Sequence, residues 1–320
     1  MQRMSVELPP IANPETHPGA SGAPECDGRL AELSGVHKRY GSTVALDGLD
    51  LHVSRGELLA VLGPNGAGKT TTISLLLGLQ KPDTGTAMLF GRSPQALESR
   101  REIGVMMQEV ALAPELRVRE HIDLVASYYA NPLTPQAAME LTHTCALADR
   151  PYGKLSGGQK RQAQFTIAIC GRPKLLFLDE PTVGLDVQAR EMMWSTVRRL
   201  VNDGAAVVLT THYLEEAEAL ADRVAVLAKG RVIASGSVTE IRASVVRTRI
   251  RCCTSVAAEE VAEWPGVTDA GIDQNRLHIT AINAEAVLRR LLAADPDLGE
   301  LEVRRAGLAE VFTELTKDEA

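Results

Sequence analysis

One glycine-rich segment near the start of the chain limits its possible folds more than any other sequence feature. Residues 63–70 read GPNGAGKT and match G-x-x-x-x-G-K-[ST], the pattern of a phosphate-binding loop. The apolar residues 58–62 before it predict a strand buried in a parallel sheet, and residues 71–79 after it predict a helix. Strand, glycine loop and helix in this order predict an α/β protein.

The residue types in this loop suit the binding of a nucleoside triphosphate. Gly63, Gly66 and Gly68 allow backbone conformations in which successive N–H groups point into one concavity at a helix N-terminus. Lys69 adds a positive charge that can follow the β- and γ-phosphates, and the Thr70 hydroxyl can ligate Mg²⁺. The alternative is an ordinary glycine-rich loop with a solvated lysine, which the matching strand and helix disfavour.

A second candidate segment ends in two adjacent carboxylates. Residues 174–178 are mostly apolar and predict a buried strand, and Asp179 and Glu180 follow it. Because ligands of parallel sheets collect beyond the strand C-termini, Asp179 suits a magnesium ligand and Glu180 suits polarisation of the attacking water. In the alternative interpretation, both carboxylates merely cap the strand end.

A third segment combines a helix cap with two glycines. Ser156, Gly157, Gly158 and Gln159 precede a helical pattern over residues 160–169. Ser156 can cap this helix, and the glycines can form an anion-binding nest at its start. This segment alone does not specify a function, so its interpretation depends on the two segments described above.

The three segments GPNGAGKT, LSGGQ and LLFLDE, in this order and spacing, resemble the nucleotide-binding subunits of ATP-binding cassette (ABC) transporters. The resemblance covers residues 30–237. It implies a P-loop NTPase of the ABC type, with a parallel or mixed sheet core, an N-terminal antiparallel β subdomain and a helical subdomain. In this family GPNGAGKT is the Walker A motif, LLFLDE is Walker B and LSGGQ is the signature.

The resemblance also implies roles that the residue pattern alone does not give. Tyr40 would stack on adenine, and Gln108 would touch Mg²⁺ or the attacking water while coupling to a transmembrane partner. Asp186 would cross a dimer interface, and His212 would reach the γ-phosphate. Glu180, His212, Lys69 and Gln108 are therefore the expected catalytic residues, and Thr70, Gln108 and Asp179 are the expected magnesium ligands.

The expected nucleotide contacts come from both glycine-rich segments and their neighbours. These residues are Tyr40, Gly63, Pro64, Asn65, Gly66, Ala67, Gly68, Lys69, Thr70, Thr71, Ser156, Gly157, Gly158, Gln159 and Asp186. Because members of the family pair head to tail, each ATP would lie between the Walker loop of one copy and the signature of the other.

The sequence predicts three regions. Residues 1–28, rich in Pro, Gly, Ser and Glu, read as a disordered tail, and residues 29–240 as the cassette, with its helical subdomain at about 93–170. Residues 241–320 read as a small α+β domain with the order β-α-β-β-α-β, typical of a ferredoxin-like arrangement, followed by an amphipathic helix over residues 308–315.

The composition limits the kinds of partner that the chain is expected to bind. The 320 residues are 45% hydrophobic with a formal charge of −7, an acidic balance that argues against binding nucleic acid through bulk charge. No stretch is long and apolar enough to span a bilayer, so the expected partner is a separate transmembrane permease. The expected location is cytoplasmic, on the inner face of the membrane.

The function expected from these features is ATP hydrolysis that powers a permease through head-to-tail dimer closure. The pattern EPTVGLD and the ending LAEVF are similar to bacterial drug- and antibiotic-export cassettes. The alternative is a soluble ABC-type ATPase acting on a ribosome or nucleic-acid machine. Such proteins usually carry two cassettes or long inserts, and this sequence has neither. A non-catalytic nucleotide-binding scaffold is disfavoured because Lys69, Asp179, Glu180 and His212 are all present.

Overall fold

The computed structural model describes residues 28–108, 110–244, 248–273, 276–305 and residue 312. The predicted tail, apart from Gly28, and the predicted helix over residues 308–315, apart from Phe312, lie outside the described residues.

Within these ranges the chain forms β-strands that build three sheets. In chain order the strands are β1 (Arg29–Tyr40), β2 (Thr43–Ser54), β3 (Leu58–Leu62), β4 (Thr84–Leu89), β5 (Ile103–Met106), β6 (Leu175–Asp179), β7 (Ala206–Thr210), β8 (Arg223–Ala228), β9 (Arg231–Gly236), β10 (Thr248–Cys253), β11 (Val267–Asp273), β12 (Arg276–Ala281) and β13 (Gly299–Arg305).

The α-helices lie between these strands and cover the sheets. They are α1 (Lys69–Leu76), α2 (Leu97–Arg100), α3 (Val118–Ala126), α4 (Pro135–Leu141), α5 (Gly157–Ile169), α6 (Val187–Asn202), α7 (Leu214–Leu220), α8 (Val238–Ser244), α9 (Ala258–Ala262) and α10 (Ala284–Ala294). Short 3-10 turns occur at Cys145–Leu147 and Tyr152–Lys154.

The central sheet has six strands in the order β5-β6-β7-β3-β8-β9. The first five are parallel and β9 is antiparallel to β8. Every residue of β3, β6 and β7 is buried, as their continuous apolar sequences predict for strands covered on both faces. Leu175 and Phe177 pack in the cluster that includes Leu76 of α1, whereas Leu176 and Leu178 pack in the cluster with Met193 of α6. The alternation follows from the two-residue period of a strand.

The N-terminal strands form a separate antiparallel sheet in the order β2-β1-β4. This sheet is the antiparallel β subdomain that the resemblance implied, and its strands β1 and β2 are twelve residues each. Their pairing continues along nearly the whole of both strands through several register shifts. Such irregularities bend a pair of strands without ending their pairing. The sheet packs over α1, and Leu33 and Leu49 lie in the core that it shares with this helix.

One strand of the central sheet was missed in the sequence. Residues 93–170 are predicted to form the helical subdomain, but β5 lies within this range and pairs with β6. This strand has only four residues and contains Gly104. A Cβ atom at Gly104 would overlap the carbonyl oxygen of Ala168 near the end of α5, so the glycine permits close approach of strand and helix. A short strand interrupted by glycine carries little periodic signal.

The C-terminal residues form a four-stranded antiparallel sheet in the order β11-β12-β10-β13. With α9 and α10 between the strands, this confirms the predicted ferredoxin-like order. The sheet has its own core, which includes Ile250, Trp264 and Leu291. The domain boundaries stay a prediction; α8 spans the expected one at residues 240–241, and its Ile241 packs in a cluster with Leu62 and Val226 of the central sheet.

Candidate functional site

The glycine-rich loop connects the end of β3 to the start of α1, as predicted, although α1 begins at Lys69, two residues earlier than expected. Gly68 precedes the helix with φ +107°, a conformation that side chains disfavour, and a Cβ there would lie 2.7 Å from the Ala45 carbonyl oxygen. No side chain caps α1, so its first N–H groups remain available to an anion.

A cavity of about 690 Å³ opens above this loop. It brings together most of the residues that the sequence nominated, namely Tyr40, Gly63, Pro64, Asn65, Gly66, Gly68, Lys69, Thr70, Thr71, Gln108, Asp179, Glu180 and His212. Ala67 is buried behind the loop and does not line the cavity.

The sheet topology explains this convergence. Four adjacent parallel strands, β5, β6, β7 and β3, end at the same edge. Gln108 lies just beyond β5, Asp179 and Glu180 lie at the end of β6, and His212 lies just beyond β7. The residues are far apart in sequence, but the carboxyl edge of a parallel sheet collects them around the loop that follows β3.

Lys69 is the cation at the centre of the cavity. Its Nζ atom donates hydrogen bonds to the carbonyl oxygens of Gly63 at 2.6 Å and Pro64 at 3.1 Å. Partial burial lowers the pKa of Lys69, and the negative charges of Glu180 and Asp179 act in the opposite direction. The ammonium group thus lies within electrostatic reach of two carboxylates that line the same cavity.

Asp179 is buried at the end of β6, and its Oδ1 atom accepts a hydrogen bond from the Thr210 hydroxyl of β7. This hydrogen bond fixes the orientation of the carboxylate. The Thr70 hydroxyl and the Gln108 side chain line the same cavity. Hydroxyl, amide and carboxylate oxygens are the donors that Mg²⁺ prefers, so the residues fit a magnesium ion.

Glu180 occupies an unusual backbone conformation, with φ +51°. Its N–H group donates to the carbonyl oxygen of Thr210 at 3.0 Å, which continues the pairing of β6 with β7 for one more residue. The side chain is 11% exposed, and its Oε2 atom forms an ion-pair contact with Nδ1 of His212. That contact lacks hydrogen-bond geometry, so Oε2 has no hydrogen-bond partner among the described residues. The carboxylate therefore retains accepting capacity toward the cavity.

Tyr40 lies at the outer rim of the cavity and is 44% exposed. Its hydroxyl donates to the side chain of Gln80, and Lys38 Nζ lies 5.8 Å from the centre of the ring. An exposed aromatic face at the rim of a phosphate-binding cavity is suited to stacking on a base.

The signature residues lie elsewhere, since Ser156, Gly157, Gly158 and Gln159 do not line this cavity. They form the start of α5, where Ser156 Oγ accepts from the Gln159 N–H at 3.3 Å and Gln159 Oε1 accepts from the Ser156 N–H at 3.1 Å. This capping box holds an exposed helix N-terminus, with Ser156 and Gly157 open to solvent. Asp186 also lies outside the cavity and caps α6, accepting from Ala189 N–H at 2.8 Å.

Arg161 connects the signature helix to the cavity, a link that the sequence did not reveal. It is 8% exposed and donates from Nη1 to the Met107 carbonyl oxygen at 3.0 Å and from Nη2 to the Glu180 carbonyl oxygen at 2.8 Å. The start of α5 is thereby tied to the backbone beside Gln108 and Glu180.

Sequence reasoning missed several residues that line the cavity, namely Thr43, Val44, Ala45, Leu62, Val183, Thr211, Leu214 and Phe312. Most are neighbours of residues already nominated, so proximity in sequence was an available signal. Phe312 has no such neighbour, because the C-terminal part of the chain brings it to the cavity from outside the cassette sequence.

A parallel sheet with a phosphate-binding loop, a carboxylate pair and a histidine at one edge defines a P-loop nucleotide-hydrolysing protein. The ABC transporter family model matches residues 46–183. The daunorubicin resistance ATP-binding protein DrrA3 of Streptomyces coeruleorubidus is 39% identical over 90% of this chain and 96% of its own length. The Nod factor export ATP-binding protein I of Paraburkholderia xenovorans is 38% identical over 89% and 96%.

Solved structures agree with these relatives. The ATP-binding subunit of an ABC transporter superposes with a TM-score of 0.62 at 29% identity, over 67% of this chain and 92% of that one. A dimeric structure of the bacterial ABC transporter cassette MJ0796 superposes with a TM-score of 0.60 at 26% identity, over 65% and 98%. The chain belongs to the ABC transporter family as an ATP-binding protein, and it is an ATPase.

None of the helices in the described part of the chain combines the length and the apolar character needed to cross a membrane.

Proposed function

We propose that this ATPase powers export through a separate transmembrane permease, working as a head-to-tail homodimer at the cytoplasmic face of the membrane. Export is supported by the names of relatives that match nearly the whole chain, one for daunorubicin resistance and one for Nod factor export. The transported compound is accordingly a drug, an antibiotic or a lipid-like molecule.

The observation that carries the dimer is the separation of two phosphate-binding segments on one chain. The Walker loop lines the cavity, whereas the capped N-terminus of α5 with Ser156 and Gly157 is exposed outside it. A helix N-terminus attracts anions, and this one lies outside the cavity of its own copy. In the head-to-tail dimer, the signature of one copy completes the nucleotide site of the other. The dimeric cassette among the structural relatives supports the pairing of two copies.

Each residue in the cavity then has a definite task. Lys69 and the loop N–H groups bind the β- and γ-phosphates, and Tyr40 stacks on the adenine. Glu180 polarises the water that attacks the γ-phosphate, and His212 contacts that phosphate. Thr70, Asp179 and Gln108 hold Mg²⁺, which neutralises phosphate charge when bound.

The γ-phosphate makes dimer closure depend on ATP. It presents negative charge to the Walker loop of one copy and to the Ser156 helix N-terminus of the other, so ATP favours the closed state by contacts that ADP lacks. When water activated by Glu180 attacks the γ-phosphorus, the bond to the bridging oxygen breaks, and departure of the phosphate removes this bridge and allows the dimer to open. Asp186, exposed at the start of α6, lies at the surface that the second copy would cover.

Complementation between two damaged chains tests the shared site. The Lys69→Ala chain has a damaged Walker loop, and the Ser156→Arg chain has a damaged signature. Each alone is expected to show no ATP-stabilised dimer, whereas their mixture forms a heterodimer with one intact site and regains association and turnover. Ultracentrifugation with Mg-ATP measures the association.

A matched control for Ser156→Arg is Ser237→Arg. Ser237 also caps a helix start, accepting from the Glu240 N–H at 3.2 Å, but it precedes α8 and belongs to neither the Walker loop nor the signature. This variant should dimerise like the wild type. A mixture of the two damaged chains that never recovers association contradicts the head-to-tail site.

The helical region at residues 93–153 is the proposed docking surface for the permease. Leu124 of α3 is 50% exposed and Tyr128 just beyond it is 65% exposed. Exposed apolar side chains that lie near each other are typical of interaction sites. Replacing both by Glu is expected to abolish co-purification of a multi-pass membrane protein from native membranes, as identified by mass spectrometry.

Ile272→Glu provides the control, because Ile272 is equally exposed, at 65%, but lies on β11 far along the chain. It should leave co-purification intact. Absence of any membrane protein partner for the wild-type chain contradicts the exporter assignment and favours the soluble ATPase.

A further inference from the structure

Glu216 is a buried carboxylate for which the proposed reaction gives no role. It lies on α7, the helix that follows His212, and is only 1% exposed. Burial raises its pKa, and nearby hydroxyl and indole groups act in the opposite direction. A carboxylate removed from water is costly unless other groups compensate it, so its surroundings require an explanation.

Three different segments meet at this carboxylate. Its Oε1 atom accepts a hydrogen bond from Nε1 of Trp194 on α6 at 3.1 Å. The hydroxyls of Thr211 and Thr182 lie near enough to lower the pKa of Glu216. Its Oε2 atom has no hydrogen-bond partner within the described ranges.

The positions of the two threonines connect Glu216 to the reacting groups. Thr182 is two residues after Glu180, and Thr211 immediately precedes His212. Both threonines are buried, at 5% and 0% exposure, so neither side chain can exchange its contact for water. The Thr211 hydroxyl also accepts from the Tyr213 N–H at 3.0 Å, which bends the segment around His212.

Through Trp194, Glu216 is also connected to α6, the helix that Asp186 caps. Trp194 lies on this helix, and Arg190 lies 5.1 Å from the centre of its ring. The Glu216 carboxylate therefore joins the segment after β6, the segment after β7 and the helix between them.

We propose that Glu216 is a positioning residue for ATP hydrolysis, which holds the segment of His212 against the segment of Glu180 so that both side chains meet at the nucleotide. This inference rests on the roles proposed above for Glu180 and His212. Glu216 does not line the cavity, whereas Glu180 and His212 do, so it acts through the positions of these two residues.

Steady-state ATPase kinetics on the full chain test this role. Because small displacements of reacting groups cost up to ~10²-fold in rate, Glu216→Leu is expected to lower kcat about 10- to 100-fold. The KM for ATP should change by less than about twofold, since the phosphate loop is untouched. Glu216→Gln keeps an oxygen for Trp194 Nε1 and should retain kcat within about threefold of the wild type.

Two further variants keep the test decisive. Glu215→Leu, at an exposed position on the same helix, should leave kcat and KM unchanged. Trp194→Phe removes the indole donor together with part of the ring and should lower kcat about tenfold, and it decides the question if Glu216→Leu does not fold. The inference is overturned if folded Glu216→Leu keeps kcat within about threefold, if Glu216→Gln loses as much as Glu216→Leu, or if KM rises as kcat falls.

A double-mutant comparison separates this inference from the proposed function. In a Glu180→Gln background, Glu216→Leu should lower kcat by a smaller factor than in the wild type, because the part of its effect that acts through Glu180 is already lost. Full turnover by Glu180→Gln alone would remove the proposed role of Glu180, whatever Glu216 does. An inactive Glu180→Gln together with a fully active Glu216→Leu would overturn only the role of Glu216.

Discussion

Replacing Glu180 by Gln is expected to lower the rate of ATP hydrolysis about 10²- to 10⁴-fold, the usual contribution of a general base. The amide keeps the size of the side chain but cannot polarise a water molecule by accepting its proton. ATP binding should persist, because Lys69 and the loop after β3 are unchanged. Phosphate release measures the turnover, and equilibrium binding of a fluorescent ATP analogue measures the affinity.

Glu98→Gln is a suitable control for this variant. Glu98 is exposed on α2, outside the nucleotide cavity, and its replacement should leave both measurements unchanged. Turnover at the wild-type rate by Glu180→Gln would exclude Glu180 as the group that activates water. A parallel loss of ATP affinity would instead assign Glu180 to binding.

Lys69→Ala is expected to weaken ATP binding about 10- to 100-fold, because a hydrogen bond to a charged group contributes about 1.5–3 kcal/mol. Lys69 is the ammonium group that faces Glu180 and Asp179 across the cavity, and its removal leaves their charge opposed to that of the phosphates. Isothermal titration with Mg-ATP and with Mg-ADP measures the loss. The effect should be larger for ATP, since the γ-phosphate is absent from ADP.

Lys81→Ala is the matched control, because Lys81 is exposed and does not line the cavity. Its affinity for ATP should equal that of the wild type. An unchanged affinity in Lys69→Ala would contradict the position of the triphosphate above the loop. Equal losses for ATP and ADP would place the lysine on the inner phosphates alone.

The main site could be predicted from the sequence because its parts are local. The loop between β3 and α1 and the carboxylates after β6 each lie within a few residues of a strand whose apolar run is continuous. The strand edge of a parallel sheet then brings such segments together without further information. For the same reason, the signature and its capping box were predictable as a helix start but not as a part of this cavity.

Contacts between distant segments could not be predicted. Arg161 reaches the carbonyl oxygen of Glu180, and Glu216 collects hydroxyls from two segments, through packing that no short pattern records. The strand that positions Gln108 was missed because Gly104 interrupts it, and the glycine is explained only by α5 lying against it. Phe312 reaches the cavity from a C-terminal region whose sequence gave no sign of the nucleotide.

The sedimentation of the Glu180→Gln chain in saturating Mg-ATP tests the central claim most directly. A γ-phosphate that bridges the Walker loop of one copy and the Ser156 helix start of another predicts a stable dimer in Mg-ATP and a monomer in Mg-ADP. The Ser156→Arg substitution in the same chain should abolish the dimer. A chain that stays monomeric in Mg-ATP, both alone and with its permease, would contradict the account.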